Sequence, residues 1–347
     1  MKIDIKKKLN EFDLNINFNL GNKPLALLGA SGSGKSMILK CISGLENPDM
    51  GYIEKDGKIL FDSRRNINIS PRDRKIGFIF QNYALFPHMT VYENIAFGLM
   101  NKKKDERDEI TFEKLKKVHL TNFENKYPME LSGGQQQRVA IARALALEPE
   151  ILLFDEAFSA LDNYTRESVI GEIREILGDF GGKSIFVTHN MNEAYGLCED
   201  IVVINKGIKE CEGKKKSIFH SPPTYETAKI TGCKNIVEVR QIDEETIYVS
   251  KWDAILTVNA NKNIKYKGIR AHDIEISEER RENSISCKLE YVNEKPFEKI
   301  HHFRAIDGKD KEFIKCIVGK NEKFQIEDIS KIYNLHFPKL KIFTMST

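Results

Sequence analysis

The spacing of apolar positions changes along the chain, and each spacing predicts a different element. From residue 1 to 28 they recur at every second position: Ile3 and Ile5, then Phe12, Leu14, Ile16, Phe18 and Leu20. Period two predicts two half-buried strands, which feed a short buried strand at Pro24-Leu25-Ala26-Leu27-Leu28. Helical spacing follows over Met37–Ile42. Gly44, Pro48-Asp49 and Gly51 then mark a return to strands, and Tyr52-Ile53-Glu54 and Lys58–Phe61 flank Asp56-Gly57 as a hairpin. Lys75–Phe80 reads as a compact buried strand ending at Gln81.

Residues from about 85 to 150 change character and predict a helical insertion. Asn101–Glu109 is almost wholly charged with mixed sign, the mark of a solvated helix end or loop. Helical spacing resumes at Phe112, Leu115, Val118 and Leu120. From Leu131 the run S-G-G-Q-Q-Q-R-V-A-I-A-R-A-L predicts a helix capped by Ser132, with Val139, Ala142 and Leu145 on its packing stripe and Arg138 and Arg143 off it. Ile151–Phe154, Ser184–Thr188 and Ile201–Ile204 read as strands buried on both faces. Strands alternating with helices through residue 230 predict a parallel α/β sheet.

Past Pro222-Pro223 and a short helix over Tyr225–Thr231, the pattern turns to short β pieces. These are Ile236–Val239, Thr246–Val249, Ile255–Val258 and Phe313–Val318, and they predict a small β-barrel. The reading is therefore an α/β domain over 1–232 and an all-β domain over 233–347. The length allows this, since single cores rarely grow beyond ~250–300 residues.

Composition narrows the picture. Lys and Arg number 54 against 51 Asp and Glu, and the formal charge of +3 gives no argument for nucleic acid or an anionic membrane surface. Cys41, Cys198, Cys211, Cys233, Cys287 and Cys316 are scattered without a C-x-x-C pair. That speaks against a disulfide framework or zinc site and fits a reducing compartment. Met1–Ile5 lacks the apolar core of a signal peptide, and no stretch approaches the ~20 apolar residues of a membrane span. The expectation is a cytoplasmic chain that serves a membrane, if at all, through a partner.

Chemistry concentrates at Gly29-Ala30-Ser31-Gly32-Ser33-Gly34-Lys35-Ser36, which spells G-x-x-x-x-G-K-S between a strand and a helix. Glycines there let successive N–H groups and a helix N-terminus face one phosphate. Lys35 adds a charge on the β/γ-phosphates and Ser36 a hydroxyl for magnesium. Asp155 and Glu156 end a buried strand, where two carboxylates are costly without a cation or partner. A strand-end His189 follows. Phe12 has two open readings, a ring for an adenine to stack on or a strand-face aromatic.

The order of these pieces is specific: the phosphate loop, Gln81, L-S-G-G-Q at 131–135, Asp155-Glu156, Ser159-Ala160-Leu161-Asp162, and His189. It resembles the ATP-binding subunit of an ABC transporter over residues 1 to about 232. The resemblance implies a P-loop NTPase fold and ATP and Mg2+ as ligands. In its terms Ser36, Gln81 and Asp155 reach magnesium, Gln81 senses the γ-phosphate, Glu156 polarises the attacking water, and His189 steadies it. Ser132, Gly133, Gly134 and Gln135, with Asp162, would close the phosphate site of a second subunit in a head-to-tail homodimer. One departure is Ala157, where such proteins usually carry proline; a looser dimer seam is expected from it.

The resemblance also implies two transmembrane permeases, an extracytoplasmic binding protein that feeds them, and no nucleic acid. Tyr83, Leu85, Phe86 and Pro87 are candidates for a groove that takes a permease helix, with local packing an open alternative. Thr231–Ile236 resembles the junction of molybdate importers, followed by an OB/MOP-like domain. Gly268–Ile274 resembles a G-I-R-x-x-D-I segment shared by molybdate, sulfate, polyamine and iron importers. Molybdate or a similar oxyanion is the expected cargo, with sulfate, ferric iron or a polyamine as alternatives. A soluble, non-transport ABC ATPase is a further alternative, less favoured because such proteins usually carry two cassettes or a long coiled-coil insertion. The tail holds an open possibility of a regulatory anion site.

Overall fold

The computed structural model describes the chain except residues 160, 260–264, 309–311, 320–325, 327 and 347, and of residues 163–165 the backbone alone. Two compact units form, Met1–Lys215 and Lys216–Thr347.

The first unit is built on one sheet. Its strands are β1 (Lys2–Lys8), β2 (Asp13–Asn19), β3 (Leu25–Leu28), β4 (Met50–Lys55), β5 (Lys58–Asp62), β6 (Ile67–Asn68), β7 (Ile76–Ile79), β8 (Ile151–Asp155), β9 (Lys183–Thr188), β10 (Asp200–Asn205) and β11 (Ile208–Lys214). Across the sheet they run β6-β5-β4-β1-β2-β11-β10-β3-β9-β8-β7. The period-two strands β1 and β2 pair antiparallel, Ile3 opposite Phe18 and Ile5 opposite Ile16, so both bury the same face. Asp56 and Gly57 both take positive φ, as a tight hairpin between β4 and β5 requires.

The predicted parallel sheet holds for β7, β8, β9, β3 and β10. It fails elsewhere. β1, β2, β4, β5 and β6 form an antiparallel wing, and β10 turns back at Lys206-Gly207 into β11, a strand the sequence reading did not contain. β11 carries Lys209, Glu210, Glu212 and Lys214 and has no fully buried residue, so it leaves no hydrophobic run to read.

The helices are α1 (Lys35–Ser43), α2 (Val91–Ala96), α3 (Lys104–Lys117), α4 (Gly133–Ala146), α5 (Asn163–Phe180) and α6 (Met191–Leu197). Helices α2 to α4 make up the insertion between β7 and β8. Much of the charged run Asn101–Glu109 is the solvated first half of α3. Val139, Ala142 and Leu145 of α4 are buried along its packing stripe. Arg74, 1% exposed, closes the far end of α1: it donates to the carbonyls of Cys41 and Ile42 and to Asn68 Oδ1. Gly44 ends α1 at φ 82°, where a Cβ would lie 2.7 Å from the Arg74 guanidinium. This meets the orphan carbonyls that every helix end leaves.

The second unit holds α7 (Lys215–His220, from its second residue), α8 (Tyr225–Ile230) and two five-stranded sheets among the described residues. The first sheet has the order β14-β13-β12-β15-β21: β12 (Asn235–Gln241), β13 (Thr246–Val249), β14 (Ala254–Thr257), β15 (Tyr266–Ile269) and β21 (Phe343–Met345). The second has the order β16-β20-β17-β18-β19: β16 (Glu275–Ser277), β17 (Ser284–Glu294), β18 (Glu298–Ala305), β19 (Ile314–Gly319) and β20 (Ile332–His336). Val237, Trp252, Ile285, Phe303 and Phe337 share one core between them, the all-β accessory fold that was expected.

The division lies earlier than residue 233 because residues 219–231 belong to this unit. Arg270 of the G-I-R-x-x-D-I segment donates to Thr231 O at 2.6 Å, Thr231 Oγ1 at 2.9 Å and Phe219 O at 2.6 Å. Ala228 and Cys233 pack against Phe343 and Met345.

Candidate functional site

The buried strand β3 ends at a loop that the sequence makes compact. Gly32 and Gly34 adopt φ 77° and 96°, open to glycine at little cost, and a Cβ on Gly29 would lie 2.2 Å from Ile204 O. Gly34 is the N-cap of α1, so the free N–H groups of that helix head the loop. Lys35, 3% exposed, folds its ammonium back inside the loop. It donates to Ala30 O at 2.7 Å, Gly29 O at 3.0 Å and Ser33 Oγ at 3.3 Å. Burial pushes the Lys35 ammonium below the usual lysine range, opposed by the charges of Glu156 and Asp155.

Asp155 ends β8, and Ser36 Oγ donates to its Oδ1 at 2.6 Å. Burial lifts the Asp155 carboxyl above the usual range, only partly offset by the Ser36 hydrogen bond. A hydroxyl and a destabilised carboxylate side by side are the donor set that Mg2+ accepts when phosphates supply further oxygens. Among the described residues no cluster of three or more His, Cys, Asp or Glu forms a closed metal cage.

Glu156 follows at φ 44°, a left-handed conformation that costs a non-glycine residue about 1–2 kcal/mol. Its N–H is tied to Val187 O at 3.0 Å, and Ser159 N–H closes on its carbonyl at 3.0 Å. These bonds hold the turn with the buried Ala157 in the position where proline was expected. Glu156 Oε2 stands 3.3 Å from His189 Nδ1, which is half exposed at the end of β9. Thr188, just before it, donates to Glu193, and Arg166 lies 3.4 Å from that carboxylate.

Phe12, Gly32, Ser33, Lys35, Ser36 and Glu156 line one cavity of about 370 Å3. Phe12 sits in the turn before β2, not on a strand face, with its ring against Gly34 and Gly207. A Cβ on Gly207 would meet that ring at 2.5 Å, so the glycine leaves room for it.

Gln81, Ser132, Gly133, Gly134, Gln135 and Asp162 do not line this cavity. Ser132 heads α4 with a capping box: Ser132 N–H donates to Gln135 Oε1 at 2.9 Å and Gln135 N–H to Ser132 Oγ at 3.3 Å. Gly133 faces Leu161, whose Cδ2 would lie 3.0 Å from an added Cβ, so the start of α4 abuts the turn before the exposed Asp162. Arg166 holds that turn from α5, donating to Leu161 O at 2.7 Å and Phe158 O at 3.3 Å. Ala160 of the same motif lies outside the described residues.

Gln81 is exposed in the turn after β7. Tyr83 is buried, against the expectation that it lies open beside Leu85 and Phe86, which are half-buried. The sequence reading missed what holds this turn. Tyr83 and Ala84 take φ 60° and 46°, and Arg143 of α4 donates to both of their carbonyls, at 2.8 and 2.7 Å. Its place off the α4 packing stripe was visible; its partner some sixty residues earlier was not.

A family model described as "ABC transporter" matches residues 12–159. A sulfate/thiosulfate import ATP-binding protein of Mesostigma viride is 40% identical over 294 residues, covering 83% of this chain and 81% of its own length. A spermidine/putrescine import ATP-binding protein of Clostridioides difficile is 44% identical over 246 residues, 70% of this chain and 69% of its own. Among solved structures, a dimeric ATP-binding cassette in a post-hydrolysis state with ADP and phosphate aligns with a TM-score of 0.53 at 34% identity, covering 62% of this chain and 97% of that one. The loop at Gly29–Ser36 thus has relatives whose ligand is ATP, and the chain belongs to the ABC transporter family as an ATP-hydrolysing, ATP-binding subunit of import type.

Proposed function

We propose that two copies of this chain hydrolyse ATP at shared sites and drive import of a sulfate-like tetrahedral oxyanion through two permease subunits. The loop amides and Lys35 hold the β/γ-phosphates, and the Phe12 ring packs against the base. Ser36 and Asp155 hold Mg2+, with Gln81 reaching it from its turn. The ion supplies charge neutralisation on the phosphate oxygens. Glu156 accepts the proton of the attacking water, and His189, 3.3 Å from it, orients that water and the γ-phosphate. The Glu156–Val187 backbone bond and the left-handed turn fix where that carboxylate points.

Ser132, Gly133, Gly134 and Gln135 serve the site of the other copy, with Asp162 at the same seam. The support is that α4 begins with a glycine pair after the exposed Ser132, next to the Asp162 turn, while the chain's own phosphate loop already has its helix. The turn at 81–88 would carry closure to a permease: Phe86 packs tilted against the half-exposed Phe97, ring centroids 4.6 Å apart, next to the exposed Pro87 and His88. An extracytoplasmic binding protein would feed those permeases. No helix among the described residues is long and apolar enough to cross a membrane, which fits a peripheral place on its cytoplasmic face.

The cargo rests on one observation: similarity to sulfate/thiosulfate relatives reaches 83% and 84% of this chain, deep into the second unit. A spermidine/putrescine relative, 44% identical over 70% of this chain, supports a second reading, spermidine or putrescine. Thr231–Ile236, which pointed to molybdate, is scaffold: Asn235 exchanges two 2.8 Å hydrogen bonds with the Lys315 backbone, and Thr231 receives Arg270. It leaves molybdate as one oxyanion among several. Uptake of labelled sulfate, molybdate and putrescine by a strain lacking this gene decides the cargo. Loss of oxyanion uptake alone is expected; loss of putrescine uptake alone overturns this reading in favour of the polyamine.

A further inference from the structure

His189 stands at the end of β9, and a buried network behind it fixes where it stands. Thr188, 3% exposed, pairs with Leu28 in the parallel ladder, one residue before the phosphate loop begins. Its hydroxyl works in two directions: it accepts the Asn190 N–H at 2.9 Å and donates to a carboxylate oxygen of Glu193. His189, lying between Thr188 and Asn190, is held by that strap, while its half-exposed ring meets Glu156 at 3.3 Å.

Glu193 does not do what its place on the helix predicts. It is the third residue of α6, where a glutamate normally reaches back to the N–H of the capping residue. That N–H, of Asn190, is taken by Thr188, and Glu193 turns inward to 5% exposure instead. Burial pushes its carboxyl above the usual carboxylate range, with the Thr188 hydrogen bond and the Arg166 charge opposing. A buried acid needs such partners. Arg166 of α5 supplies the cation: its Nε lies 3.4 Å from Glu193 Oε1 and 3.3 Å from Phe158 O, and its Nη2 donates to Leu161 O at 2.7 Å. One guanidinium therefore joins the His189 turn to the turn that ends at Asp162, a span suited to its planar fork. Neither Glu193 nor Arg166 lines the nucleotide cavity, so any effect they have on the chemistry passes through other residues.

We propose that Glu193 and Arg166 are positioning residues for ATP hydrolysis: through Thr188 they set His189 against Glu156, and through the Phe158 and Leu161 carbonyls they tie that setting to the Asp162 turn. Balancing Arg166 would need only a carboxylate; the two-way Thr188 hydroxyl is what directs this one at His189. On the shared-site reading, on which this consequence rests, the Asp162 turn lies at the seam, and seating of a second copy reaches His189 along the same strut.

The test is a double-variant cycle on full-length protein, read as kcat and KM for ATP from phosphate release, with folding checked by circular dichroism. Glu193→Gln keeps an oxygen for the Thr188 hydroxyl but loses the charge that meets Arg166. It should lower kcat by about tenfold and leave KM within about twofold, the pattern of a contact that matters in the transition state. Arg166→Lys keeps the charge but not the fork that spans both turns, and it should lower kcat likewise. His189→Ala should be at least as slow as Glu193→Gln. Adding Glu193→Gln to it should cost less than about a further twofold, because the residue through which Glu193 acts is gone. If Glu193→Gln is poorly folded, Thr188→Val removes the linking hydroxyl at similar shape and should give the same loss, again absent beside His189→Ala. An unchanged kcat in a folded Glu193, Arg166 or Thr188 variant overturns the proposal. So does a full loss from Glu193→Gln on top of His189→Ala, which would make Glu193 a residue of packing alone. The shared-site reading fails separately: a Glu156→Gln protein that stays monomeric at saturating MgATP counts against it, while the cycle concerns the loops of one chain and is decided either way.

Discussion

Lys35 and Lys267 are both withdrawn from water, at 3% and 2% exposure, and burial depresses both. Their surroundings differ. Lys35 curls into a glycine loop whose carbonyls take its donors, and the charges of Asp155 and Glu156 lie close enough to oppose the cost of burial. Lys267, on β15 of the second unit, donates to the Thr344 hydroxyl, and no acid opposes its burial. The first lysine therefore sits in a machine that balances charge while it waits for a phosphate and a cation together. The second has no such neighbours. Burial alone does not mark a ligand site, since Arg74 and Arg270 are also buried and are spent on backbone carbonyls.

The widest break between the two comes from Lys35→Met. It should lower ATP turnover by about 10²-fold or more, the scale of losing one preorganised charge contact. Lys267→Met, in the second unit, should leave turnover close to wild type. An equal loss from both variants in a phosphate-release assay would erase the difference between the two lysines.

A smaller effect tests how the cleft is framed. Arg143→Ala removes two hydrogen bonds to the Tyr83 and Ala84 carbonyls and frees the turn that carries Gln81. Turnover should fall by about tenfold, equivalent to one charge-assisted hydrogen bond, while the KM for ATP moves little. Arg143→Lys should recover little, because lysine lacks the planar fork. A loss confined to thermal stability, with kcat unchanged, would reduce Arg143 to a packing residue.

The smallest effect separates the carboxylates from the cation they await. Burial raises the Asp155 carboxyl above its unfolded value, so the folded state holds its proton more tightly. That contribution to stability is present at low pH and lost as pH rises through the folded pKa. Asp155→Asn escapes the loss. At neutral pH, without nucleotide or Mg2+, it should unfold later by on the order of 1 kcal/mol, and the gap should close in acid. A variant less stable than wild type at neutral pH would show that Ser36 and Asp155 already satisfy each other.

How much of this could be read from the chain follows the same division. The phosphate loop and the strand-end carboxylates were legible because each is a contiguous run, Gly29–Ser36 and Asp155-Glu156, whose residue types declare their chemistry; Ser132–Gln135 was equally legible as a run but does not line this cleft. Phe12 was left open between an adenine-stacking ring and a strand-face aromatic, since a period-two run looks the same where the strand has not yet begun. Arg143, Arg166 and Arg74 were illegible as partners. Each acts on backbone carbonyls, and any residue type can supply a carbonyl. The second unit was legible as β and little more. β17, eleven residues long, carries Lys, Glu, Tyr and Asn at its exposed positions, and β18, eight residues long, buries His301 and His302 side by side, which blurs the alternation. Lys267 lies in β15, a strand the sequence reading did not contain, and its partner Thr344 is far away in sequence. The G-I-R-x-x-D-I segment was noticed as a motif, but only the fold shows that Arg270 is spent on Thr231 and Phe219.

The central claim is that Gly29–Ser36 is half of a site closed by a second copy, with Glu156 as the base. The most direct test is Glu156→Gln, assayed for phosphate release and for mass by light scattering with and without saturating MgATP. The account predicts turnover reduced by about 10²-fold or more, as expected for loss of a general base, together with an ATP-dependent doubling of mass. Hydrolysis close to wild type, or a monomer at saturating MgATP, would contradict it.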